Sequence, residues 1–336
     1  MKPGQVLGAR YAILGPLGKG GMGTVFRGRD QVTGKDVAVK VLGADWASHP
    51  EMKERLRSEM VHAQSVRHRN VCRVLDCGED GRRSYVVTEL VDGIDLKRLL
   101  KSAGGLSPEH AFEGAIQIAR GLQALHDAGI VHRDVKSPNV LVDREGRFRL
   151  LDFDLAEHVA DAAKRTRGVV HGTPEYMSPE QARGEGVGFP SDVYSVGIVA
   201  FELFTGDVPF RGHSTPKTVR KHVEEPPPLT GPAAARLPIP IVPVLRKCLE
   251  KDPTRRYPRA RSLVEALRLA RSIMGLQDAP SGTAKLPEGF GALLGALNPL
   301  DATVRLAPRK SQAAVERHSR EAMAHLVAAL TTQKDS

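Results

Sequence analysis

The sequence predicts an α+β protein of two lobes, a β-rich lobe with one main helix followed by a mostly helical lobe. Three observations lead there. Residues 11–42 alternate short apolar runs with glycine-rich turns ("YAILGPLG", "TVFRGRD", "DVAVKVL"), as β-hairpins do. Residues 51–66 change period, with Met52, Leu56, Met60 and Ala63 recurring at the three- and four-residue steps of one helix face. From about residue 96 to 275 the pattern is mainly helical, interrupted by short loops and the strand-like "RFRLLDF".

Two further strand-like runs, "VCRVLDCG" and "SYVVTEL", complete the first lobe. The expected boundaries are an N-terminal extension at 1–10, a first lobe at 11–91, a second lobe at 92–275 and a tail at 276–336. The run "VYSVGIVAFELF" (193–204) has the length of a buried core helix and carries Glu202. Residues 276–310 are rich in Gly, Pro and Ala and read as a linker. Residues 311–331 fit one amphipathic helix, with Met323, Leu326, Val327 and Leu330 on one side. Its simplest reading is docking onto the helical lobe, and the sharper alternative is binding a partner protein.

Composition excludes several classes. The 336 residues suit two packed lobes plus a tail. A net charge of +10 is spread over "RHRN", "GRR", "KRTRG" and "RRYPRARS", which reads as a solvated basic surface and not as a nucleic-acid interface. Cys72, Cys77 and Cys248 make neither a disulfide framework nor a zinc pattern and fit reduced thiols in a cytoplasm. No apolar run reaches the ~20 residues of a membrane span, and "MKPGQVLGARYAIL" lacks the apolar core of a signal peptide.

The chemistry begins with "LGKGGMGTVF", which places Gly18, Gly20 and Gly23 in G-x-G-x-x-G spacing. Its strand–turn–strand setting argues against a dinucleotide fold. Glycines there let backbone N–H groups close over phosphate oxygens. Seventeen residues after Gly23, "VAVK" puts Lys40 in the next strand as a candidate phosphate clamp, and Glu59 on the helix offers it a carboxylate. The strongest signal is "VHRDVKSPNVLV" followed by "LLDFD". Phosphoryl transfer needs such a set: Asp134 to take or orient a hydroxyl proton, Lys136 to steady the phosphoryl group, and Asn139 with Asp152 as oxygen ligands for Mg²⁺.

On "GKGGMGTV", "VAVK", Glu59, "HRDVKSPN", "DFD", "GTPEYMSPE", "SDVYSVG" and "DPTRRY", residues 11–272 resemble the eukaryotic-type serine/threonine protein kinases, including their bacterial members. The resemblance implies a two-lobed kinase fold over 11–275, ATP and Mg²⁺ (with Mn²⁺ as an alternative) as cofactors, and proteins with Ser or Thr acceptors as substrates. It implies Thr88 as the gatekeeper behind the adenine pocket and backbone hydrogen bonds to adenine from Glu89 and Val91. Val25, Ala38 and Leu141 would sandwich the ring, and Asp95 would contact the ribose. Thr173 would touch Asp134 and Lys136, Asp192 would anchor the catalytic loop, and Glu180 with Arg256 would form a structural ion pair.

Two positions carry regulation in this reading. Arg133 before Asp134 suggests control by loop phosphorylation, and Thr166 within "KRTRG" is the candidate acceptor. Asp154 stands where the family has glycine after Phe153. Glycine frees the loop at positive φ, and Asp restricts it, so the expectation is an active enzyme with a stiffer switch and an altered metal preference. The alternative is a catalytically weak pseudokinase that acts as a nucleotide-binding scaffold. Because the usual Lys-Pro-x-Asn order is replaced by Lys136-Ser137-Pro138-Asn139 with unchanged spacing, the metal site is expected to survive.

Overall fold

The computed structural model describes residues 1–20, 23–43, 60, 62–81, 83–151 and 173–276. Six antiparallel strands form the first lobe: β1 (Val6–Leu7), β2 (Tyr11–Gly20), β3 (Gly23–Asp30), β4 (Asp36–Leu42), β5 (Val74–Asp80) and β6 (Arg83–Glu89). Their order is β1-β2-β3-β4-β6-β5. Alternation along β4 divides the sheet into two faces. Val37, Val39 and Val41 are buried and join Leu7, Tyr11, Ile13, Phe26, Tyr85 and Val87 in a small core. Ala38 and Lys40 point the other way and are half-buried.

Two expected boundaries change. Val6 and Leu7, read as part of an extension, pair with Ala12 and Tyr11, and Leu7 is fully buried. The run "VCRVLDCG" enters the ladder only at Val74, because its first residues are tied elsewhere. Val71 bridges Leu150 in parallel, and the Cys72 N–H donates to the Leu150 carbonyl at 2.8 Å. Of the helix expected over 51–66, residues 62–65 are helical, and Met60 and Ala63 are buried as the period requires. Residues 51–59 lie outside the described residues.

The second lobe opens with a small sheet of β7 (Gly93–Asp95), β8 (Val140–Asp143) and β9 (Phe148–Leu150). Its helices are α1 (Leu96–Ala103), α2 (Pro108–Asp127), α3 (Pro179–Arg183), α4 (Phe189–Thr205), α5 (Thr215–Glu224), α6 (Ile241–Cys248) and α7 (Ala260–Ile273). Helix α4 is buried from Ser191 to Phe204 and forms the axis of the lobe. An apolar helix of this kind is stable only when other helices cover it on every side. Here Phe112 of α2 meets Phe204 edge-on at 5.1 Å, and α6 and α7 pack on α4 as well. No helix among the described residues is long and apolar enough to cross a membrane.

A buried amide joins the loop before β5 to this lobe. Asn70 Nδ2 donates to Gln117 Oε1 and to the Phe148 carbonyl, both at 2.8 Å, while its own carbonyl accepts from Leu150 N–H at 2.9 Å. Gly121 permits the approach, since a Cβ there would lie 2.4 Å from the Asn70 carbonyl oxygen.

Candidate active site

The strand register assembles the upper half of the site. Val25 lies opposite Lys40, Arg27 opposite Ala38, Ala38 opposite Thr88 and Lys40 opposite Val86. Cross-strand partners share a face, so Val25, Ala38, Lys40 and Thr88 are gathered on the face away from the small core. Gly18 pairs with Val25 and Gly20 with Gly23 at the hairpin end of that sheet. The glycines are not equivalent. A Cβ on Gly23 would lie 2.1 Å from the Val41 carbonyl oxygen, so the backbone of β4 requires glycine there. A Cβ on Gly18 would meet no atom of the described residues within 4 Å.

At the junction of the lobes, the Glu89 N–H donates to the Arg73 carbonyl at 3.0 Å. This commits the amide, and leaves the carbonyl, which meets the weak Cys72 thiol at 3.6 Å, as the group for an incoming donor. The Glu89 side chain accepts from Arg73 N–H at 2.9 Å and from Arg149 at 3.1 Å. Val91 follows β6 outside any strand. Below it, Asp95, Leu141 and Arg149 occupy one cross-strand row, with Leu141 half-buried. Asp95 also caps α1, its Oδ1 accepting the Arg98 N–H at 2.9 Å, a structural duty that sequence reading did not give it.

The loop from His132 to Asn139 carries the lower half. Lys136 Nζ lies 2.7 Å from Asp134 Oδ2, and Asn139 Nδ2 donates to the same oxygen at 2.7 Å and to the Asp134 carbonyl at 3.0 Å. Both cationic and amide donors therefore use Oδ2, and Oδ1 meets no side-chain donor among the described residues. The Leu151 N–H donates to the Asn139 carbonyl at 2.8 Å, and His132 Nε2 bonds the Leu151 carbonyl at 3.1 Å. The residue just before Asp152 is thus held on both sides. Asp152, Asp154, Thr166 and Glu59 lie outside the described residues.

A buried carboxylate and a side-chain amide hold this loop from beneath. Asp192 of α4 accepts the backbone N–H groups of His132 and Arg133. Gln181 of α3 donates to the Arg133 carbonyl at 2.9 Å. Arg133 sits in the left-handed region at φ 69°, and its buried Nε meets no hydrogen-bond partner among the described residues. Glu180 and Arg256 form a two-pronged pair at 2.7 and 2.8 Å. Burial alone would raise the Glu180 carboxyl, but Arg256 and Ser191 outweigh it and hold the group below its ordinary pKa. Thr173 opens the turn Pro174–Tyr176, its carbonyl accepting from Tyr176 N–H at 3.3 Å.

Sequence reasoning missed one polar chain. Ser137 Oγ lies 2.8 Å from the Tyr176 hydroxyl, which donates to Glu202 Oε2 at 2.8 Å, and Lys97 Nζ lies 2.6 Å from Glu202 Oε1. Burial first, and Glu202 second, hold the Tyr176 pKa far above its usual value, so the hydroxyl keeps its proton. That proton goes to Glu202, so Ser137 must donate to Tyr176. The available signal was Glu202 itself, an acid inside an apolar helix, which has to find partners.

A strand sheet above a helical lobe, with a His-Arg-Asp loop suspended from a carboxylate on the central helix, is the architecture of a protein kinase. Residues 11–267 match the family model described as the protein kinase domain, and the chain belongs to that family. PknA of Mycobacterium tuberculosis, a serine/threonine-protein kinase, is 39% identical over 259 residues, covering 76% of this chain and 59% of PknA. The serine/threonine-protein kinase pkn2 of Myxococcus xanthus is 39% identical over 298 residues, covering 85% and 36%. PrkC of Bacillus subtilis is 34% identical over 267 residues, covering 80% and 41%. The chain thus spans three-fifths or less of the length of these curated relatives, which are bacterial kinases of the eukaryotic type. The crystal structure of the M. tuberculosis PknI kinase domain superposes with a TM-score of 0.63 at 25% identity, covering 80% of this chain and 99% of that domain.

Proposed function

We propose that this chain is an active serine/threonine protein kinase, transferring the γ-phosphoryl group of ATP to Ser and Thr hydroxyls of proteins, its own included, with Mg²⁺ as the metal. The observation that supports this most is the Asp134–Lys136–Asn139 cluster. With Oδ2 held by Lys136 and Asn139, Asp134 keeps Oδ1 to accept the proton of an incoming hydroxyl. Lys136 is positioned to follow the moving phosphoryl group.

The residues fit a hard divalent cation. Asn139 donates through Nδ2 to Asp134, which leaves its amide oxygen as the atom a metal would take, with Asp152 as the carboxylate ligand. Bound Mg²⁺ would neutralise charge on the ATP phosphates. Lys40, paired with Glu59, would hold those phosphates under the hairpin of Gly18, Gly20 and Gly23. The lack of any described atom within 4 Å of a Cβ at Gly18 supports that reading. Val25, Ala38 and Leu141 would enclose the adenine, with the Glu89 carbonyl and the Val91 backbone as its hydrogen-bond partners and Asp95 near the ribose.

Arg133 and Thr166 form the proposed switch. At Arg133 a buried Nε that meets no partner among the described residues favours an anionic partner, which phosphorylation of Thr166 would supply. Thr173 is assigned a contact with Asp134 and Lys136. Asp154 is assigned the slower loop switch and a changed Mg²⁺/Mn²⁺ preference; Asp154→Gly leaving both unaltered would sink that assignment. Three cysteines, none of them in a disulfide, fit a reduced cytoplasmic setting. The amphipathic stretch at 311–331, outside the described residues, is the proposed contact for a partner protein.

The decisive experiment follows incorporation from γ-labelled ATP by the purified chain, with Lys40→Ala and Asp152→Ala as controls. Incorporation on Ser and Thr, lost in both variants, is the expected result. None with either Mg²⁺ or Mn²⁺ would leave a nucleotide-binding scaffold as the function.

A further inference from the structure

Helices α2 and α7 meet along an antiparallel row of charged side chains. At one end Glu113 of α2 pairs with Arg271 of α7 at 2.7 Å, both side chains being buried. At the other end Asp127 of α2 pairs with Arg261 of α7 at 3.1 Å. Glu113, Arg120 and Asp127 recur every seven residues and so share one face of α2, as Arg261 and Arg268 share one face of α7. The middle rung therefore sets Arg120 against Arg268. Neither makes a hydrogen bond or an ion pair among the described residues, and Glu265, the acid of α7, pairs with neither. Burial first, and Arg268 next, hold the Arg120 guanidinium below its ordinary pKa.

A third donor comes from the loop before β5. Where the Asn70 carbonyl packs on Gly121, this loop runs against the residue that follows Arg120. His68, half-buried there, accepts the Asn70 N–H on Nδ1 at 3.2 Å, which puts its ring hydrogen on Nε2. Burial, then Arg120 and then Arg69, lower the His68 pKa, so the positive field of the rung reaches the ring. None of these residues belongs to the site described above.

We propose that Arg120, Arg268 and His68 form a binding site for a phosphoryl dianion, seated on the unmatched rung between α2 and α7. Like charges facing each other between two ion pairs are unfavourable, and an anion turns both cations into donors. Glu113 cannot serve, because one of its oxygens is taken by Arg271 and the other by Gln117. Guanidinium forks suit the oxygens of a phosphate. A phosphoryl group carries about −1.5 to −2 at neutral pH, which balances two arginines where a carboxylate balances one. The His68 Nε2–H supplies a further donor from the loop side.

Two sources present that chemistry, a free phosphate compound and a phosphorylated residue of this chain's own tail. Ser281 and Thr283, outside the described residues, are the first hydroxyl-bearing residues after Leu276. At helical rise Arg268 lies about 12 Å before Leu276, and the next five to seven residues span up to about 17–25 Å when extended, enough to return to the rung. The site itself does not depend on the kinase reading, whereas a tail phosphorylated by this chain does.

The test titrates the full chain, at constant ionic strength, with inorganic phosphate, pyrophosphate and synthetic peptides of residues 277–287. The peptides are made with and without phosphate on Ser281 or Thr283, so no kinase activity is needed. Fluorescence anisotropy, with competition by the free anions, gives the affinities. NMR of the His68 ring, assigned through His68→Gln, gives its pKa. Phosphate-bearing ligands are expected to bind wild type about tenfold or more tightly than Arg120→Gln or Arg268→Gln, and to raise the His68 pKa by about 1. Binding of phosphate or pyrophosphate without the phosphopeptides assigns the site to a free compound. A phosphopeptide that outbinds both its unmodified form and inorganic phosphate assigns it to the tail. Arg120→Glu completes the rung with Arg268 and should lose anion binding with an undiminished melting temperature, which separates a lost site from a lost fold. Affinities unchanged in the folded Gln variants, or a His68 pKa that no anion moves, would overturn the proposal; phosphate held only at the hairpin of Gly18, Gly20 and Gly23 gives that result.

Discussion

Asp192 Oδ1 accepts the Arg133 N–H at 2.7 Å, and Asp192 Oδ2 accepts the neighbouring His132 N–H at 2.8 Å. One side chain of the central helix thus fixes two successive peptide groups of the loop that carries Asp134. The second oxygen also meets His126 Nε2 at 2.9 Å. His126 Nδ1 accepts from the Ala260 N–H at 3.2 Å, so the ring hydrogen is on Nε2 and points at the carboxylate. These bonds hold Arg133 in a left-handed conformation that costs an ordinary residue about 1–2 kcal/mol.

Replacing Asp192 with Asn turns one acceptor oxygen into a donor facing N–H groups. Stability is expected to fall by about 2–3 kcal/mol, read from urea denaturation. The kcat should fall more than tenfold while KM for ATP hardly moves, because the strand face that would hold the nucleotide does not touch this contact.

Asp134→Asn removes the proposed proton acceptor while preserving its size. The rate of peptide phosphorylation is expected to drop by about 10²–10⁴, the usual worth of a positioned base. Nucleotide binding, followed by titration with a fluorescent ATP analogue, should stay near wild type.

Gly18→Ala and Gly23→Ala separate ligand space from fold space. The first adds a methyl group where no atom of the described residues lies within 4 Å, so the melting temperature should hold while ATP affinity declines. The second drives a Cβ against the Val41 carbonyl oxygen, so the sheet itself should lose stability, by about 1–3 kcal/mol as overpacking does.

Arg256→Ala strips the partner from the buried Glu180 and is expected to cost about 3–5 kcal/mol. The Glu180 pKa is depressed in the fold, so the stability linked to it is present above the ordinary carboxylate range and lost as pH falls through the folded value. The variant should therefore show a weaker loss of stability on acidification, measured as the urea midpoint at a series of pH values.

His222 gives acid sensitivity at a higher pH. Burial, and then Lys251, hold its pKa at about 3 against an ordinary 6.5. Between those values the unfolded chain binds the extra proton, so stability drops as pH falls, by up to about 1.4 kcal/mol per unit. His222→Phe keeps an aromatic ring beside Phe210 and is expected to flatten the urea-midpoint profile between pH 6.5 and 4.5.

The candidate catalytic and phosphate-loop residues could be picked out because they lie close together in the chain and their spacing is rigid. Asp134, Lys136 and Asn139 share one loop of six residues, so reading them in order already placed them together. The face shared by Val25, Ala38, Lys40 and Thr88 was legible in part, since strand alternation orders each run while only the register aligns them. The engagement of the Glu89 amide was not legible, because its acceptor, the Arg73 carbonyl, belongs to the neighbouring segment. The ladder's late start at Val74 was hidden for the same reason, since Val71 and Cys72 are held by Leu150 from the other lobe.

By itself the sequence determined the family and the order of the elements and proposed the reacting groups, because local periodicity and fixed spacing encode these. Only the tertiary structure decided what fills the space around those groups. It alone brought Lys97, Ser137 and Tyr176 to Glu202, and Asp192 beneath Arg133, for a buried charge finds its partners across the fold, at separations of up to 105 residues that no local pattern records.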